Sequence, residues 1–264
     1  MKYLVSLVAQ SSLDQSSGSL PPIPWNTGAA YTGWIYRILR QDCALGDVVH
    51  RAHPLKNFAV SPLQFEAGHA DSRGYTPHTP FAALTFGTFD PAIAAAFEQG
   101  AMHTPLLIGS VSWQVTAVVP YPEPVWSTTH PLILSSASCY PIALRHPRDV
   151  KPHPAWARDS DWLNLLSQNL VHKAERFRDI PIDAQSIRCV VSGGWRARFQ
   201  QPYGHPIAAF QPRESLVISA PPVVYDVIFT LGLGLLNTAG LGVLTLDASA
   251  SLAGWTDDGV VDLR

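Results

Sequence analysis

The sequence predicts an α+β protein made of two tandem ferredoxin-like (RRM-like) domains, each with the element order βαββαβ. Three observations lead to this fold class. Strand-like and helix-like segments follow that order in the first half of the chain, and the order returns less regularly in the second half. The length of 264 residues suits two domains, and a hydrophobic content of 47% supplies a core for both. We place the domains at residues 1–121 and 122–264.

The elements of the first domain follow from apolar periodicity and from capping residues. In chain order they are a strand (2–10), a helix (28–40), two strands (57–67 and 81–89), a helix (91–100) and a strand (106–121). The first helix has apolar residues at three- and four-residue spacing from Tyr31 to Leu39. Asp90 is a suitable N-cap and Pro91 a suitable first-turn residue for the second helix. Apolar, β-branched runs mark the strands.

The second domain shows the same order with weaker strand signals. In chain order it has strand-like segments (131–137 and 140–146), a helix (162–177), strands (186–192 and 214–220), a helix from residue 222 and a closing strand (241–247). The first two segments fit either a hairpin or one irregular strand. Pro221 and Pro222 open the last helix, because proline is favoured in a first helical turn.

Composition limits the compartment and the partners. No apolar run reaches the ~20 residues of a membrane helix, and the N-terminal segment fits a first strand better than a signal peptide. The three cysteines form neither a disulfide framework nor a CxxC pair, which favours a reducing cytoplasm. The net charge is −2, yet residues 141–200 carry ten Lys or Arg against six Asp or Glu. Such a segment could form a basic face for an acidic partner.

A glycine-rich segment, GLGLLNTAGLGV, follows the last helix. Its glycines are Gly232, Gly234, Gly240 and Gly242. It is not a Walker loop, because Leu241 stands where the motif requires lysine, and it is not a GxGxxG fingerprint, because Asn237 replaces the third glycine. So many glycines indicate either a close approach to the backbone or tight packing of the helix on the following strand.

This glycine-rich segment and a block of residues nearer the N-terminus together carry the resemblance to a known family. The block is IYRILRQDCALGDVVHRAHPLKNFAVSPL (35–63), in which Tyr36, His50, Lys56 and the strand from Phe58 to Ser61 occur in order. The chain resembles, over nearly its whole length, the CRISPR repeat-processing endoribonucleases, the sixth Cas family of the repeat-associated mysterious protein superfamily. That family has two ferredoxin-like domains, a helix that contains an Ile-Tyr pair, a His, a Lys a few residues later and an F-x-x-S strand.

The resemblance implies metal-independent cleavage of precursor CRISPR RNA within the repeat, which yields mature guide RNA. The RNA 2′-hydroxyl is the nucleophile, and the products carry a 2′,3′-cyclic phosphate and a 5′-hydroxyl. By position, His50 is the expected general acid/base, Lys56 the phosphate stabiliser and Tyr36 their partner. His53 competes with His50 for this role, and Tyr36 also fits a plain core aromatic.

The resemblance and the charge distribution also give candidate RNA-binding residues. From the glycine-rich segment they are Gly232, Gly234, Asn237, Gly240 and Gly242. The basic candidates are Arg37, Arg40, Arg51, Lys173, Arg176, Arg196 and Arg198. For both segments an alternative without RNA contact stays open. In it, the glycines only permit tight packing, and SGGWRARF (192–199) is a solvated hairpin with one buried tryptophan.

The expected partner is CRISPR repeat RNA, as precursor and as mature guide. A CRISPR effector complex and a second copy of the chain are further partners that the resemblance allows, and a membrane is not among them. We expect no metal and no cofactor, because His146 and His153 are widely spaced and the acidic residues are scattered. The alternative function is an inactive repeat-RNA-binding protein or a structural subunit of an effector complex.

Overall fold

The protein is described by a computed structural model. The structure describes residues 1–10, 20–41, 45, 56–144, 160–200 and 207–253. The chain divides into two compact units, and the division along the chain falls between Pro120 and Tyr121. Three later residues, Thr238–Gly240, group with the first unit.

The first unit contains eight strands and two α-helices among its described residues. The strands are β1 (Lys2–Ala9), β2 (Ile23–Pro24), β3 (Phe58–Val60), β4 (Gly68–Ala70), β5 (Gly74–Pro77), β6 (Phe81–Thr88), β7 (Leu106–Ile108) and β8 (Val111–Pro120). The helices are α1 (Gly28–Leu39) and α2 (Pro91–Gly100). The main sheet has the order β3-β6-β1-β8-β7, and β2-β5-β4 form a second, smaller sheet.

The main sheet has the topology that the βαββαβ order predicts. β1 lies between β6 and β8 and pairs with both in antiparallel fashion. Alternate residues of β1, namely Tyr3, Val5 and Leu7, are buried in the core with the apolar stripe of α1. This alternation with a period of two is the signal that made β1 predictable. The first unit is therefore built from an apolar sheet face covered by amphipathic helices.

Capping explains why α2 begins at Pro91. The Asp90 carboxylate accepts hydrogen bonds from the backbone N–H groups of Ala92 (2.9 Å) and Ile93 (3.4 Å), which have no partner inside the helix. The predicted N-cap is confirmed. The helix then buries Phe97, whose ring stacks on Phe86 of the sheet at a centroid distance of 3.9 Å.

Two predicted strands of the first unit are shorter than expected. The strand predicted at 57–67 is regular only from Phe58 to Val60, because Pro62 has no N–H for a sheet ladder; a single bridge at Gln64 follows. The strand predicted at 106–121 is interrupted at Gly109, whose φ of +58° makes a turn between β7 and β8. The small β2-β5-β4 sheet lies in a segment without a predicted element.

The second unit contains five strands and three α-helices among its described residues. The strands are β9 (Leu132–Ser135), β10 (Arg188–Ser192), β11 (Trp195–Gln200), β12 (Ile207–Pro212) and β13 (Ser215–Ser219). The helices are α3 (Ser160–Arg178), α4 (Pro222–Leu231) and α5 (Leu246–Ala253). One sheet has the order β10-β13-β9, and β11 and β12 form a separate two-stranded sheet.

One predicted strand of the second unit, at 241–247, is wrong, and the segment 140–146, predicted as half of a hairpin or as an irregular strand, is irregular where the structure describes it. Residues 140–146 contribute only single bridges in the described part, from Ile142 and Ala143, and residues 241–247 contribute only one, from Leu244. Gly242 has a φ of +65°, which extended pairing does not accommodate, and the chain turns into α5 at Leu246. The apolar pattern of 241–247 reflects burial in an irregular segment rather than a strand.

Candidate functional site

Tyr36 and Lys56, two of the predicted catalytic residues, lie near the start of β3. Tyr36 is half-buried in the last turn of α1, and its ring meets the Phe58 ring edge-on at a centroid distance of 5.9 Å. Lys56 is also half-buried and comes two residues before Phe58, which begins β3. The helix and the strand thus bring a phenol and a lysine to the same end of β3.

The surroundings of Lys56 change its acidity. Partial burial lowers the pKa of its ammonium, because desolvation disfavours the charged form. A partly dehydrated ammonium also interacts more strongly with an anion than one in bulk water, since the local dielectric constant is smaller. Lys56 is therefore suited to contact a charged group such as a phosphate.

Three residues of the predicted site lie outside the described residues. They are His50, its competitor His53, and Arg51. Their roles stay predictions, and the geometry of the site rests on Tyr36 and Lys56.

Four of the basic candidates are exposed and occupy two regions of the sequence. They are Arg37, Arg40, Arg176 and Arg196. Arg37 Nη2 donates to the Pro105 carbonyl (3.3 Å), and the Arg176 guanidinium lies 5.9 Å from the centre of the Phe177 ring. Their exposure leaves the guanidinium groups in contact with solvent, where an anionic partner can reach them. Arg198 lies in β11.

The segment 192–199 is a strand-to-strand connection with one anchoring tryptophan. Gly193 and Gly194 connect β10 to β11, and both have positive φ angles, +69° and +75°. Trp195, the first residue of β11, is half-buried, and its ring centre lies 4.1 Å from that of the buried Trp162. The ring contact fixes the start of β11, and Arg196 follows it on the surface.

The glycine-rich segment is largely buried, and two of its glycines pack closely against neighbouring backbone. A Cβ on Gly242 would lie 1.9 Å from the Leu233 carbonyl oxygen, and one on Gly234 would lie 2.3 Å from the Ala143 carbonyl oxygen. The N–H of Gly242 donates to the Pro141 carbonyl at 2.9 Å. Tight packing is therefore a property of this segment, and its contact with RNA stays a prediction.

Asn237 and Lys173 stabilise this segment through buried hydrogen bonds. Asn237 Nδ2 donates to the carbonyls of Leu233 (2.8 Å) and Leu241 (2.7 Å), which joins the two ends of the turn. Lys173 Nζ, on α3, donates to Asn237 Oδ1 (2.7 Å) and to the Gly232 carbonyl (2.8 Å). Lys173 is buried, and desolvation lowers the pKa of its amine to about 7. The contacts of Lys173 are thus internal ones.

The structure also reveals a histidine pair that sequence reasoning missed. His69 lies in β4 and His78 follows β5, and His69 Nδ1 is 3.2 Å from His78 Nε2. Two histidines nine residues apart give no periodic signal. The available signal was the turn-forming DSRG segment between them, from Asp71 to Gly74, which is typical of a hairpin that returns the chain on itself.

The described residues contain neither a cluster of three or more metal ligands nor a helix that could span a membrane. Within the ranges that the structure describes, no group of three or more His, Cys, Asp or Glu side chains is arranged to hold a metal ion. None of the helices in that part of the chain combines the length and the hydropathy required to cross a bilayer.

Comparison with solved structures gives matches to the fold over almost the whole chain. An RAMP protein described as binding different RNA substrates matches with a TM-score of 0.72 and 12% identity, covering 93% of this chain and 98% of that one. A CRISPR-associated protein Cas6 matches with a TM-score of 0.68 and 18% identity, covering 93% and 98%. A Cas6-related protein from Pyrococcus furiosus matches with a TM-score of 0.69 and 13% identity, covering 93% and 97%.

These likenesses confirm the predicted α+β fold of tandem ferredoxin-like domains, and they confirm the family resemblance at the level of the fold. No family model matches the sequence, and no curated protein matches it either.

Proposed function

We propose that this chain, which folds as the Cas6 and RAMP proteins do, binds CRISPR repeat RNA and cleaves precursor CRISPR RNA within the repeat without a metal ion. One observation carries the proposal most directly. Within a fold shared over 93% of the chain with such proteins, Tyr36 and Lys56 lie at the same end of β3. Another similar structure is a Cas6 product complex, at a TM-score of 0.59 and 15% identity.

The proposed chemistry uses groups that the RNA and the chain supply between them. The RNA 2′-hydroxyl attacks the adjacent phosphate, and the 5′ oxygen of the next nucleotide leaves. His50 transfers protons, since imidazole titrates near neutral pH. Lys56 stabilises charge on the phosphate, and its partial burial strengthens that interaction. The Tyr36 hydroxyl donates a hydrogen bond or shares in proton transfer.

Phosphate contacts away from the cut are proposed for the arginines. Arg37, Arg40, Arg176 and Arg196 are exposed. Arg51 and Arg198 are the further candidates from the sequence. Guanidinium groups suit this role because they stay charged and can bind phosphate oxygens through two N–H groups. The glycine-rich segment stays a proposed RNA contact, and the buried Asn237 and Lys173 would support its backbone from inside rather than touch RNA themselves.

The test is cleavage of a 5′-labelled cognate repeat RNA in EDTA. We expect a single cut by the wild-type chain, a loss of at least about 100-fold in rate for His50→Ala, and a similar loss for Lys56→Ala. His53→Ala is the matched control and should cut at the wild-type rate. A 2′-deoxy nucleotide at the cut should abolish cleavage.

Other outcomes would assign the chain elsewhere. If the RNA binds tightly and is not cut under any condition, the chain is a repeat-RNA-binding protein or a structural subunit rather than a nuclease. If cleavage requires a divalent metal, or proceeds with the 2′-deoxy substrate, the proposed mechanism is wrong. If His53→Ala abolishes the cut and His50→Ala does not, the two histidines exchange roles.

Substitutions of Tyr36 separate catalysis from packing. Tyr36→Phe keeps the edge-on contact with Phe58, so we expect a free energy of unfolding within about 1 kcal/mol of wild type. Tyr36→Ala removes a half-buried ring and should cost about 2–3 kcal/mol. Denaturant unfolding and single-turnover cleavage are measured on the same preparations. Slower cleavage by Tyr36→Phe at unchanged stability supports a role for the hydroxyl, whereas wild-type cleavage makes Tyr36 a core aromatic.

A further inference from the structure

The histidine pair of the small sheet has the geometry of two metal ligands. His69 Nδ1 and His78 Nε2 are 3.2 Å apart, and the two ring centres are 5.5 Å apart. Two imidazole nitrogens bound to one divalent ion at ~2.0–2.1 Å, with an angle of roughly 100–110°, lie about 3.2–3.4 Å from each other. The observed separation is therefore that of two neighbouring positions in a coordination sphere.

The backbone beneath the pair is held in place by the hairpin. His69 pairs with Thr76, and the N–H of His78 donates to the Ala67 carbonyl at 3.0 Å. One imidazole thus belongs to β4 and the other to the residue directly after β5, and the hydrogen bonds between these strands set their register. A pair that is already close loses less conformational entropy on chelation than two histidines on separate loops.

The turn of the same hairpin is also fixed. The Asp71 carboxylate accepts from the backbone N–H groups of Arg73 (2.7 Å) and Gly74 (3.1 Å), and the Asp71 N–H donates to the Gly74 carbonyl (2.9 Å). Gly74 packs so closely on β2 that a Cβ would lie 2.0 Å from the Ile23 carbonyl oxygen. A hairpin closed by these contacts keeps β4 and β5 together when a ligand binds.

We propose that His69 and His78 form a surface site for a divalent transition-metal ion that prefers imidazole, namely Cu²⁺, Ni²⁺ or Zn²⁺. Both side chains are exposed, so an ion reaches them from solvent. Among the described residues no third His, Cys, Asp or Glu joins them, so water molecules complete the coordination. Hard ions such as Mg²⁺ prefer oxygen ligands and should not compete. The proposal does not depend on the proposed cleavage residues, and its test does not use RNA.

The experiment is isothermal titration of the full chain, without a histidine tag, with NiCl₂, ZnCl₂ and CuCl₂ at pH 7.5. We expect one saturable site per chain, tightest for Cu²⁺. His69→Gln and His78→Gln should each weaken binding more than tenfold, because each variant keeps only one imidazole. His103→Gln is the matched control, an exposed histidine of the same unit, and should bind as wild type does.

A second readout keeps the proposal testable if a variant is poorly folded. NiCl₂ should raise the thermal unfolding midpoint of the wild-type chain and of His103→Gln, and should leave that of His69→Gln unchanged. The proposal is overturned if the wild-type chain shows no saturable binding. It is also overturned if binding survives undiminished in both His69→Gln and His78→Gln, which would place the ion on other histidines and leave the pair as a simple N–H···N hydrogen bond.

Discussion

Gly242→Ala is expected to destabilise the chain by at least about 3 kcal/mol, whereas Gly194→Ala should cost about 1 kcal/mol. Both glycines have left-handed backbone angles, with φ of +65° and +75°, so both substitutions introduce similar strain. The two positions differ in the space available for an added methyl group. An added Cβ would lie 1.9 Å from the Leu233 carbonyl oxygen at Gly242, and would meet nothing within 4 Å at Gly194. The measurement is the free energy of unfolding in urea.

The comparison tests the packing role of the glycine-rich segment directly, since Gly194 is a control for backbone strain alone. Equal costs at the two positions would contradict the tight packing around Gly242. RNA binding measured on the folded variants adds a second criterion. A loss of RNA affinity by Gly242→Ala at a temperature where it remains folded would support a contact between this segment and RNA.

The second expected result is that stability rises with pH between about 7 and 8 because of buried lysines. Burial lowers the pKa of Lys173 from 10.5 to about 7, and the pKa of Lys2 likewise. Above pH 7 the unfolded chain keeps these protons and the folded chain releases them, so the unfolded state binds more protons and the free energy of unfolding increases. The increase is roughly 1 kcal/mol per pH unit for each lysine.

The contacts of Lys173 are compatible with its neutral form. Its amine donates to two neutral acceptors, the Gly232 carbonyl and Asn237 Oδ1, and a neutral amine still has two N–H groups. Arg176 and His172 neighbour it on α3 and are exposed. On α4, Asp226 faces Arg178, with the closest oxygen and nitrogen 3.7 Å apart. Loss of the proton therefore removes the cost of a buried charge and leaves both hydrogen bonds in place.

Lys173→Met is the informative variant, with Arg176→Met as the exposed control on the same helix. We expect the slope of unfolding free energy against pH to fall for Lys173→Met and to stay at the wild-type value for Arg176→Met. The slope should become smaller above about pH 8.5, because burial raises the pKa of the Cys139 thiol to about 12 and its ionisation in the unfolded chain opposes folding there. An unchanged slope in Lys173→Met would show that burial does not lower the pKa of this amine into this pH range.

Lys173 also shows what the sequence reveals about a candidate site. Its charge and its place in a basic segment suggest a surface contact with RNA. Its helical position indicates otherwise, because it follows the buried Leu166 and Leu170 at the spacing of the apolar stripe of α3, while Arg176 lies off that stripe. Periodicity therefore predicts which basic residue is buried, and composition alone does not.

The fold was more predictable than the site for a physical reason. Elements such as β1 and α2 carry their own signals, namely alternation and an N-cap, so local sequence determines them. The end of the chain carries no such local signal. The apolar run from Leu241 resembles a strand, but the positive φ of Gly242 and the contacts made across the turn keep the segment irregular. The His69–His78 contact likewise depends on strand register, which short-range patterns do not specify.

The separate two-stranded sheet formed by β11 and β12 has a consequence for the diversification of this fold. β10 completes its ladder with β13 from Arg188 to Ser192, and Gly193 and Gly194 then release the chain from that sheet. Since no ladder bond of β10, β13 or β9 depends on the length of the β11–β12 ribbon, residues can be inserted there or deleted without shifting the register of the other strands. The ribbon is thus a part of the molecule whose length evolution or an engineer can change at small cost to the fold, provided that Trp195 and the buried Phe210 are kept.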